Sequence, residues 1–390
     1  MKEAYIVSMA RTPVGRANKG TLRNVRPEDL AVTALRGAFD RGPEGLKKAD
    51  VEDVIMGCAF PEGPQGMNIS RVALLKAGFP FTTTGMTLNR FCSSGLQAIA
   101  VGVAAIRAGW VDVVMAGGIE SMSSVPMGGM VPMMDPELAV SNPESYTSMG
   151  ITAENVVEKF GITREAQDKF AYESNMKACK AISEGKFDEE IVPVKVKNWE
   201  GEDFLFKMDE GPRCNTTIEG LAKLRPVFRM GGSVTAGNSS QINDGASAVL
   251  IMSEDAIKRY NAKPFLRLVN FQVAGVPPEL MGVGPAYAVP QLFEKAGFKD
   301  SQVALYELNE AFASQSLYCL DELEKKVNLD RTKVNVNGGA IALGHPLGCT
   351  GAKLTTQIGY ELKRRKEKYG VVTMCIGGGM GAAGLFENLL

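Results

Sequence analysis

The sequence lacks an excess of either charge and any long apolar run. Its 390 residues include 43 lysines and arginines against 44 acidic residues, a net charge of −1. No basic stripe is interleaved with aromatic side chains, which argues against a nucleic-acid-binding protein. The longest apolar stretch, residues 98–106, ends at Arg107 and is far shorter than the roughly 18 residues that a membrane helix needs. We therefore expect a soluble globular protein without a membrane span.

Histidine is nearly absent, whereas cysteine is not: seven cysteines accompany one histidine, His345. The first residues read at once as a strand rather than as a charged region before an apolar signal core. The last three, Asn388 to Leu390, match no peroxisomal or retrieval signal. An odd cysteine count without a secretory leader predicts a reducing, cytoplasmic setting, with free thiols rather than a disulfide framework.

Apolar residues make up 45% of the chain, which is enough for a large core. Strand and helix patterns alternate along most of the sequence. This alternation predicts an α/β protein with a buried, mainly parallel sheet. Its length suits two or three domains or one duplicated unit. In the first part we predict strands at 4–8, 54–56 and 111–115, and helices at 29–39, 68–77 and 95–107, with Asn68 as an N-cap.

A similar pattern, a glycine at a helix entry and a later strand that ends in paired glycines, recurs near the C-terminus. CSSGLQAI at Cys92 is followed by VDVVMAGG, and GCTGAKLT at Cys349 is followed by GVVTMCIGGG. Gly95 and Gly351 occupy matching points of the two helix entries. This pattern indicates an internal duplication. Chance similarity between two glycine-ended α/β turns is the alternative.

A segment with a different sequence pattern lies between the halves, from residue 120 to about 242. Residues 121–134 are rich in methionine, glycine and proline and predict an irregular loop. Their thioethers could border a pocket for flexible apolar ligands or could fill core gaps beneath the loop. Helices are predicted at 151–160 and 163–184, the second capped by Thr163.

Four glycine-rich segments concentrate the reactive side chains: NRFCSSG from Asn89, NEAFA from Asn309, NGGAIALGHPLGCTG from Asn337 and CIGGGMG from Cys375. A cysteine at a strand-to-helix turn, such as Cys92, gains an electropositive setting that favours its thiolate. The glycines after Cys375 could offer backbone N–H groups to an oxyanion. Each residue also has a plain alternative, as a buried cysteine, a core histidine or glycines that allow close packing.

Taken together, these four segments closely resemble the thiolase family. SMARTPVG, GGIESMS, MGITAEN and SVTAGNSSQINDGA extend the resemblance over essentially the whole chain. It implies a five-layered α-β-α-β-α thiolase fold made of two similar halves. The halves would be residues 1–119 with 243–266, and residues 267–390, with a loop domain at 120–242.

The resemblance also implies chemistry: cleavage of a 3-ketoacyl-CoA by CoA, as in fatty-acid β-oxidation, through an acylated cysteine. Cys92 would be the nucleophile, His345 its base and an oxyanion donor, and Cys375 the general acid and base. Asn309 would hold a water of the first oxyanion hole, and the N–H of Gly377 would join that of Cys92 in the second. Cys58, Cys179, Cys214, Cys319 and Cys349 match no catalytic position and are predicted to be packing residues.

The substrates CoA and acyl-CoA would be bound without any permanent cofactor or metal. By resemblance, Arg213 would lie near the adenine nucleotide, Ala236, Ser240 and Phe312 beside the pantetheine, and Met149 and Met281 beside the acyl chain. A homodimer or homotetramer is expected, with a hydratase–dehydrogenase subunit as a further partner in some relatives. The basic run 363–368 predicts a solvated helix end rather than a membrane or nucleic-acid contact.

Ser148 stands where biosynthetic acetoacetyl-CoA thiolases typically have histidine. This favours a degradative 3-ketoacyl-CoA thiolase, with an acetyl-CoA acetyltransferase as the alternative. The single histidine argues against a condensing enzyme that uses two. A non-catalytic acyl-CoA-binding protein on the same scaffold is the remote alternative.

Overall fold

The computed structural model describes residues 2–198 and 200–390. The α-helices are α1 Pro27–Asp40, α2 Ile69–Lys76, α3 Ser94–Arg107, α4 Pro136–Ser141, α5 Met149–Phe160, α6 Arg164–Ser183, α7 Ile218–Ala222, α8 Glu254–Tyr260, α9 Pro285–Ala296, α10 Ala313–Val327, α11 Ala340–Leu343 and α12 Leu347–Arg365. The strands are β1 Ala4–Arg11, β2 Gly15–Arg16, β3 Asp53–Gly57, β4 Thr84–Leu88, β5 Val113–Ser121, β6 Val194–Lys197, β7 Asp203–Phe206, β8 Asn243–Ser253, β9 Leu266–Gly275, β10 Leu305–Leu308, β11 Tyr369–Ile376 and β12 Met380–Asn388.

Ten of these strands form one mixed sheet in two halves. The order is β10-β11-β12-β9-β1-β8-β5-β3-β4, with β2 paired to β8. The halves join where β1 meets β9, through the single pair Ile6 and Leu266. Within the first half β3 runs parallel to β4 and β5, and in the second β10 runs parallel to β11. A mixed sheet therefore replaces the mainly parallel sheet that the sequence predicts.

The buried side chains fall into clusters that show five layers of helices and sheet. Helices α1 and α2 pack on one face of the first sheet half, where Val54 and Met56 point outward. Ile55 points to the opposite face, as the period of two in a strand requires. That inner face packs with α3, α12 and the second sheet half, and α9 and α10 cover the last face. The α-β-α-β-α arrangement is thus confirmed.

The two matched glycines meet where α3 crosses α12. A Cβ on Gly95 would lie 2.8 Å from the carbonyl oxygen of Gly348. A Cβ on Gly351 would lie 2.3 Å from the backbone nitrogen of Leu96. Only glycine lets the two central helices approach this closely. The similar sequences at the two helix entries therefore have a shared packing role.

Local predictions agree well with the structure. The Asn68 side chain caps α2 by accepting from the N–H of Arg71, and Thr163 caps α6 by accepting from Ala166. The basic run is a solvated helix end, since Lys363 pairs with Glu189 and Arg364 with Glu361. No helix among the described residues has both the length and the apolar character to cross a membrane.

Strand β5 ends at Ser121, and the residues that follow it up to 134 form no helix, as the irregular-loop prediction requires. Met122 is buried, but Met127, Met130, Met133 and Met134 are at least half exposed. Most of these methionines therefore do not fill core gaps.

The prediction for two of the cysteines is also wrong. Cys179 on α6 and Cys214 form a disulfide, so they are neither free thiols nor separate packing residues. Cys58, Cys319 and Cys349 are buried and free, as predicted for packing cysteines. The pair is 35 residues apart in sequence, and no local pattern brings the two positions together.

Candidate active site

Cys92 lies in a short 3₁₀ turn that leads into α3. Phe91, just before it, has a positive φ of 42°, a strained conformation for an aromatic residue. Asn89 Oδ1 accepts from the N–H of Phe91 at 2.7 Å, and Ser94 Oγ donates to the Phe91 carbonyl at 2.7 Å. These bonds hold the strained turn, which places the thiol at a helix N-terminus with only 7% of the residue exposed.

The His345 ring is fixed by contacts on both nitrogens. Nδ1 lies 2.6 Å from Thr350 Oγ1, and Nε2 lies 3.3 Å from Asn309 Nδ2. The backbone N–H of His345 donates to Asn243 Oδ1 at 3.0 Å. Asn309 Oδ1 is buried and has no hydrogen-bond partner among the described residues. The ring and the amide thus leave an open acceptor beside the predicted base, where a water or a substrate donor fits.

The second thiol is at the end of a central strand. Cys375 is the penultimate residue of β11 and is fully buried, and Gly377 follows the strand. The turn of Cys92 packs against both β11 and α12. A Cβ on Gly377 would lie 3.6 Å from the Met149 sulfur and 3.6 Å from the Phe91 ring. The cysteine turn, the glycine run and Met149, the methionine predicted to border the acyl chain, therefore meet.

Burial sets the protonation of these groups. It raises the pKa of Cys92 to about 11, while the N–H groups of Gly377 and Cys92 act to lower it. Burial also raises the pKa of Cys375, and the neighbouring Cys92 thiol adds to the rise. It lowers the pKa of His345 to about 3. Both thiols and the imidazole are therefore neutral in the free protein.

Glu120, at the end of β5, ties the loops of the site together. Its fully buried carboxylate accepts from the N–H groups of Ala59 at 2.7 Å and Gly348 at 2.8 Å. Gln65 Nε2 donates to it at 2.9 Å. The carboxylate thereby holds the loop after β3 against the start of α12. The sequence predicts a role for neither Glu120 nor Thr350. The partners of Glu120 are distant in sequence, and the contact of Thr350 with the His345 ring depends on how the backbone folds between them.

The predicted substrate contacts fall into two groups. Met149, Met281 and Phe312 pack with Cys375 in one apolar cluster. Ser240 lies beside them, because its N–H donates to the Ala311 carbonyl at 2.9 Å.

The remaining two predicted contacts, Arg213 and Ala236, are exposed. The N–H of Arg213 donates to Asn175 Oδ1 on α6 at 2.9 Å, next to the disulfide. Nothing in this geometry assigns a ligand to either residue.

Comparisons with known proteins agree over the whole chain. Residues 4–255 match the family model "Thiolase, N-terminal domain" and residues 262–388 match "Thiolase, C-terminal domain". The 3-ketoacyl-CoA thiolase of Bacillus subtilis is 52% identical over 395 residues, covering 99% of this chain and 100% of the relative. The crystal structure of the Bacillus anthracis acetyl-CoA acetyltransferase matches with a TM-score of 0.90 at 42% identity, covering 100% and 99%. The dimeric peroxisomal thiolase of Saccharomyces cerevisiae matches with a TM-score of 0.89 at 41% identity, covering 99% and 97%.

Proposed function

This chain belongs to the thiolase family, and we propose that it is a degradative 3-ketoacyl-CoA thiolase, an acetyl-CoA C-acyltransferase. Such an enzyme cleaves a 3-ketoacyl-CoA with free CoA to acetyl-CoA and an acyl-CoA two carbons shorter. The observation that carries the proposal is a pair of neighbouring buried thiols, Cys92 and Cys375, beside an apolar cluster, with the buried His345 two residues before Leu347, which packs with Cys92. Full-length similarity to the Bacillus subtilis 3-ketoacyl-CoA thiolase supports the same reaction.

In the first half-reaction Cys92 attacks the 3-keto carbon while His345 takes its proton at Nε2. The bond between C2 and C3 breaks, leaving the acyl group on Cys92 and the enolate of acetyl-CoA. The protonated ring and a water held by Asn309 Oδ1 then face the enolate oxygen. The unpartnered Oδ1 supports this assignment.

Cys375 supplies and removes the remaining protons. It protonates the departing carbanion and then accepts the proton of the incoming CoA thiol. The N–H groups of Cys92 and Gly377 stabilise the tetrahedral oxyanion on the acyl carbon, since both already act on the Cys92 sulfur. Two neighbouring thiols of raised pKa suit these roles, because neither loses its proton before the reaction begins.

The predicted contact residues are assigned to the acyl chain, the pantetheine and the adenine nucleotide of the substrate. Met149 and Met281 would border the acyl chain, and Phe312 with Ser240 and Ala236 would flank the pantetheine of CoA. Arg213 would meet the adenine nucleotide. The Met149 and Met281 side chains share a cluster with Cys375, which supports the acyl pocket.

An acetyl-CoA acetyltransferase is the alternative function, because the similar Bacillus anthracis protein is an acetyl-CoA acetyltransferase. Ser148, the N-cap residue of α5, is exposed and stands where the biosynthetic enzymes typically have histidine. This position favours the degradative reaction.

Assembly and placement remain part of the proposal. We expect a homodimer or homotetramer in which the edge strand β4 and its exposed neighbours Met67 and Phe81 face a second copy. A hydratase–dehydrogenase partner and a cytoplasmic location stay predictions. So does the division into 1–119 with 243–266, 120–242 and 267–390, in which residues 1 and 199 lie outside the described residues.

Trapping the acyl-enzyme tests the function directly. The protein is incubated briefly with a 3-ketoacyl-CoA and no free CoA, digested and examined by mass spectrometry. The acyl mass should appear on the peptide that contains Cys92. Cys349→Ala, which alters a buried cysteine in the first turn of α12, should keep the label, and Cys92→Ala should lose it. Label on another cysteine, or none, contradicts the mechanism.

The acyl-chain length of the substrates that the enzyme cleaves decides between the two thiolase subclasses. Thiolysis rates are measured for a series of 3-ketoacyl-CoA substrates of increasing length. A degradative enzyme should cleave substrates longer than acetoacetyl-CoA. Activity confined to acetoacetyl-CoA would contradict the degradative proposal and favour the acetyltransferase.

A further inference from the structure

Thr350 lies in the first turn of α12, directly under the His345 ring. Its Oγ1 is 2.6 Å from His345 Nδ1 and 2.9 Å from the carbonyl oxygen of Pro346. Thr350 is fully buried, and His345 is 4% exposed, so solvent does not compete for these bonds. The hydroxyl is therefore a local partner of the catalytic ring rather than a surface group.

The proton count decides the direction of these bonds. A hydroxyl has one proton, and a carbonyl oxygen can only accept. The Thr350 hydroxyl donates to Pro346, the usual bond of a helical threonine to the carbonyl four residues earlier. It then accepts from Nδ1–H of His345.

The other side of the ring leads to the same result. Asn309 Nδ2, an amide donor, lies 3.3 Å from His345 Nε2, which must therefore present its lone pair. The opposite tautomer would set Nε2–H against the amide N–H and would require the Thr350 hydroxyl to leave Pro346. Two independent contacts thus agree on one tautomer.

We propose that Thr350 is a positioning residue that holds His345 in the Nδ1–H tautomer and so makes Nε2 the nitrogen that receives the proton of Cys92. This inference rests on the proposed function for its catalytic consequence, but the tautomer itself does not. The Thr350 oxygen can still accept from Nδ1–H after Nε2 is protonated. The same bond therefore serves the ring before and after proton transfer.

Because the partner is a neutral hydroxyl, it orients the ring without adding a negative charge. A carboxylate in this place would stabilise the imidazolium and store the proton on the ring. Thr350 instead leaves the ring neutral, in keeping with its closed, apolar setting. The protein thus gains a defined base without a resident ion pair.

The single histidine makes the tautomer directly measurable. Full-length protein labelled with ¹⁵N-histidine is examined by solid-state NMR. The signals of both imidazole nitrogens must come from His345, the one histidine of the sequence. The wild-type protein should show a protonated Nδ1 and an unprotonated Nε2. A protonated Nε2 in the neutral wild-type ring would overturn the proposal, whether or not the protein is a thiolase.

Variants separate positioning from packing. Thr350→Val removes the hydroxyl at nearly constant shape, and Thr350→Ser keeps it. Thr355→Val is the matched control, because Thr355 is equally buried on the same helix and donates to Gly351 at 2.8 Å without touching the ring. Thr350→Val should mix the two tautomers and lower kcat about tenfold, the equivalent of one lost hydrogen bond, with little change in KM.

Thr350→Ser should restore both readouts, and Thr355→Val should change neither. If Thr350→Val keeps the wild-type nitrogen signals and kcat, the proposal is overturned. If Thr355→Val lowers kcat equally, the effect is helix packing and the proposal is also overturned. A wild-type protein with the expected tautomer but no thiolysis would refute the proposed function while leaving the tautomer assignment standing.

Discussion

Reducing the disulfide between Cys179 and Cys214 should destabilise the folded protein measurably. The bond joins α6 to a segment held at several other points: Asp209 pairs with the buried Arg11, and the Arg213 N–H donates to α6. Cys214 is exposed and Cys179 is partly exposed, so a reductant reaches the bond without unfolding the protein. The folded contacts persist after reduction, and the main effect falls on the unfolded chain.

The magnitude follows from the length of chain that the bond closes. A separation of 35 residues corresponds to about 4 kcal/mol of lost loop entropy in the unfolded state at 25 °C. An unfolding entropy of roughly 2.1 cal/mol/K per residue over 390 residues converts this into a fall in Tm of about 5 °C. The other anchors of the segment do not reduce this figure, because they are absent from the unfolded chain.

Calorimetry with and without a thiol reductant measures the shift. The double variant Cys179→Ser, Cys214→Ser is the control: it should start at the reduced Tm and show no response to reductant. Thiol titration of the denatured, oxidised protein should find the five free cysteines, and seven after reduction. Seven thiols before reduction would refute the pairing, and an unchanged Tm despite a formed bond would refute the entropy argument.

Four further outcomes are expected. Burial raises the pKa of Glu307 to about 8 from its ordinary value of 4.5, so the folded state binds this proton more tightly. Stability should therefore fall as pH rises between these values, and Glu307→Gln should flatten the fall in urea midpoints. Cys375→Ser should slow release of the acyl group to CoA far more than acylation of Cys92 in rapid-quench experiments, and equal losses would contradict the shuttle. Gly351→Ala should cost about 1–3 kcal/mol in denaturant unfolding because its Cβ would meet backbone. Gly359→Ala, whose Cβ would meet the end of the flexible Met9 side chain rather than backbone, should cost less. The raised pKa of Cys92, about 11, predicts that its alkylation in the free enzyme accelerates up to that pH, and a plateau near neutrality would contradict a neutral resting thiol.

Features with a local cause can be predicted from the sequence. Asn68 and Thr163 cap helices through their own next turn, so the residues that reveal the cap also make it. The sequence predicts that the strand ends at residue 115, because Gly117 and Gly118 are typical of a turn, whereas both glycines belong to β5 and pair with β8. A Cβ on Gly118 would lie 2.0 Å from the Gly348 carbonyl, so the glycine serves a close approach and not a turn.

The site shows the same limit more sharply. The reactive residues were identifiable, since a cysteine, a histidine and glycine runs carry their chemistry in their identity. Their supports were not: Glu120 joins loops 61 and 228 residues away, and the disulfide joins two cysteines in unremarkable surroundings. These bonds exist only once the five layers have assembled, and no periodicity records them.

Burial also alters the chemical picture that the motifs suggest. A cysteine beside a histidine suggests a resting thiolate–imidazolium pair, but the closed site places the pKa of Cys92 near 11 and that of His345 near 3. In that order the proton stays on sulfur until a bond to carbon begins to form. In the proposed mechanism the negative charge then moves from sulfur to the acyl oxygen, toward the N–H groups of Cys92 and Gly377. Because those donors are fixed before the substrate arrives, the site can favour the charged intermediate without stabilising a charged resting state.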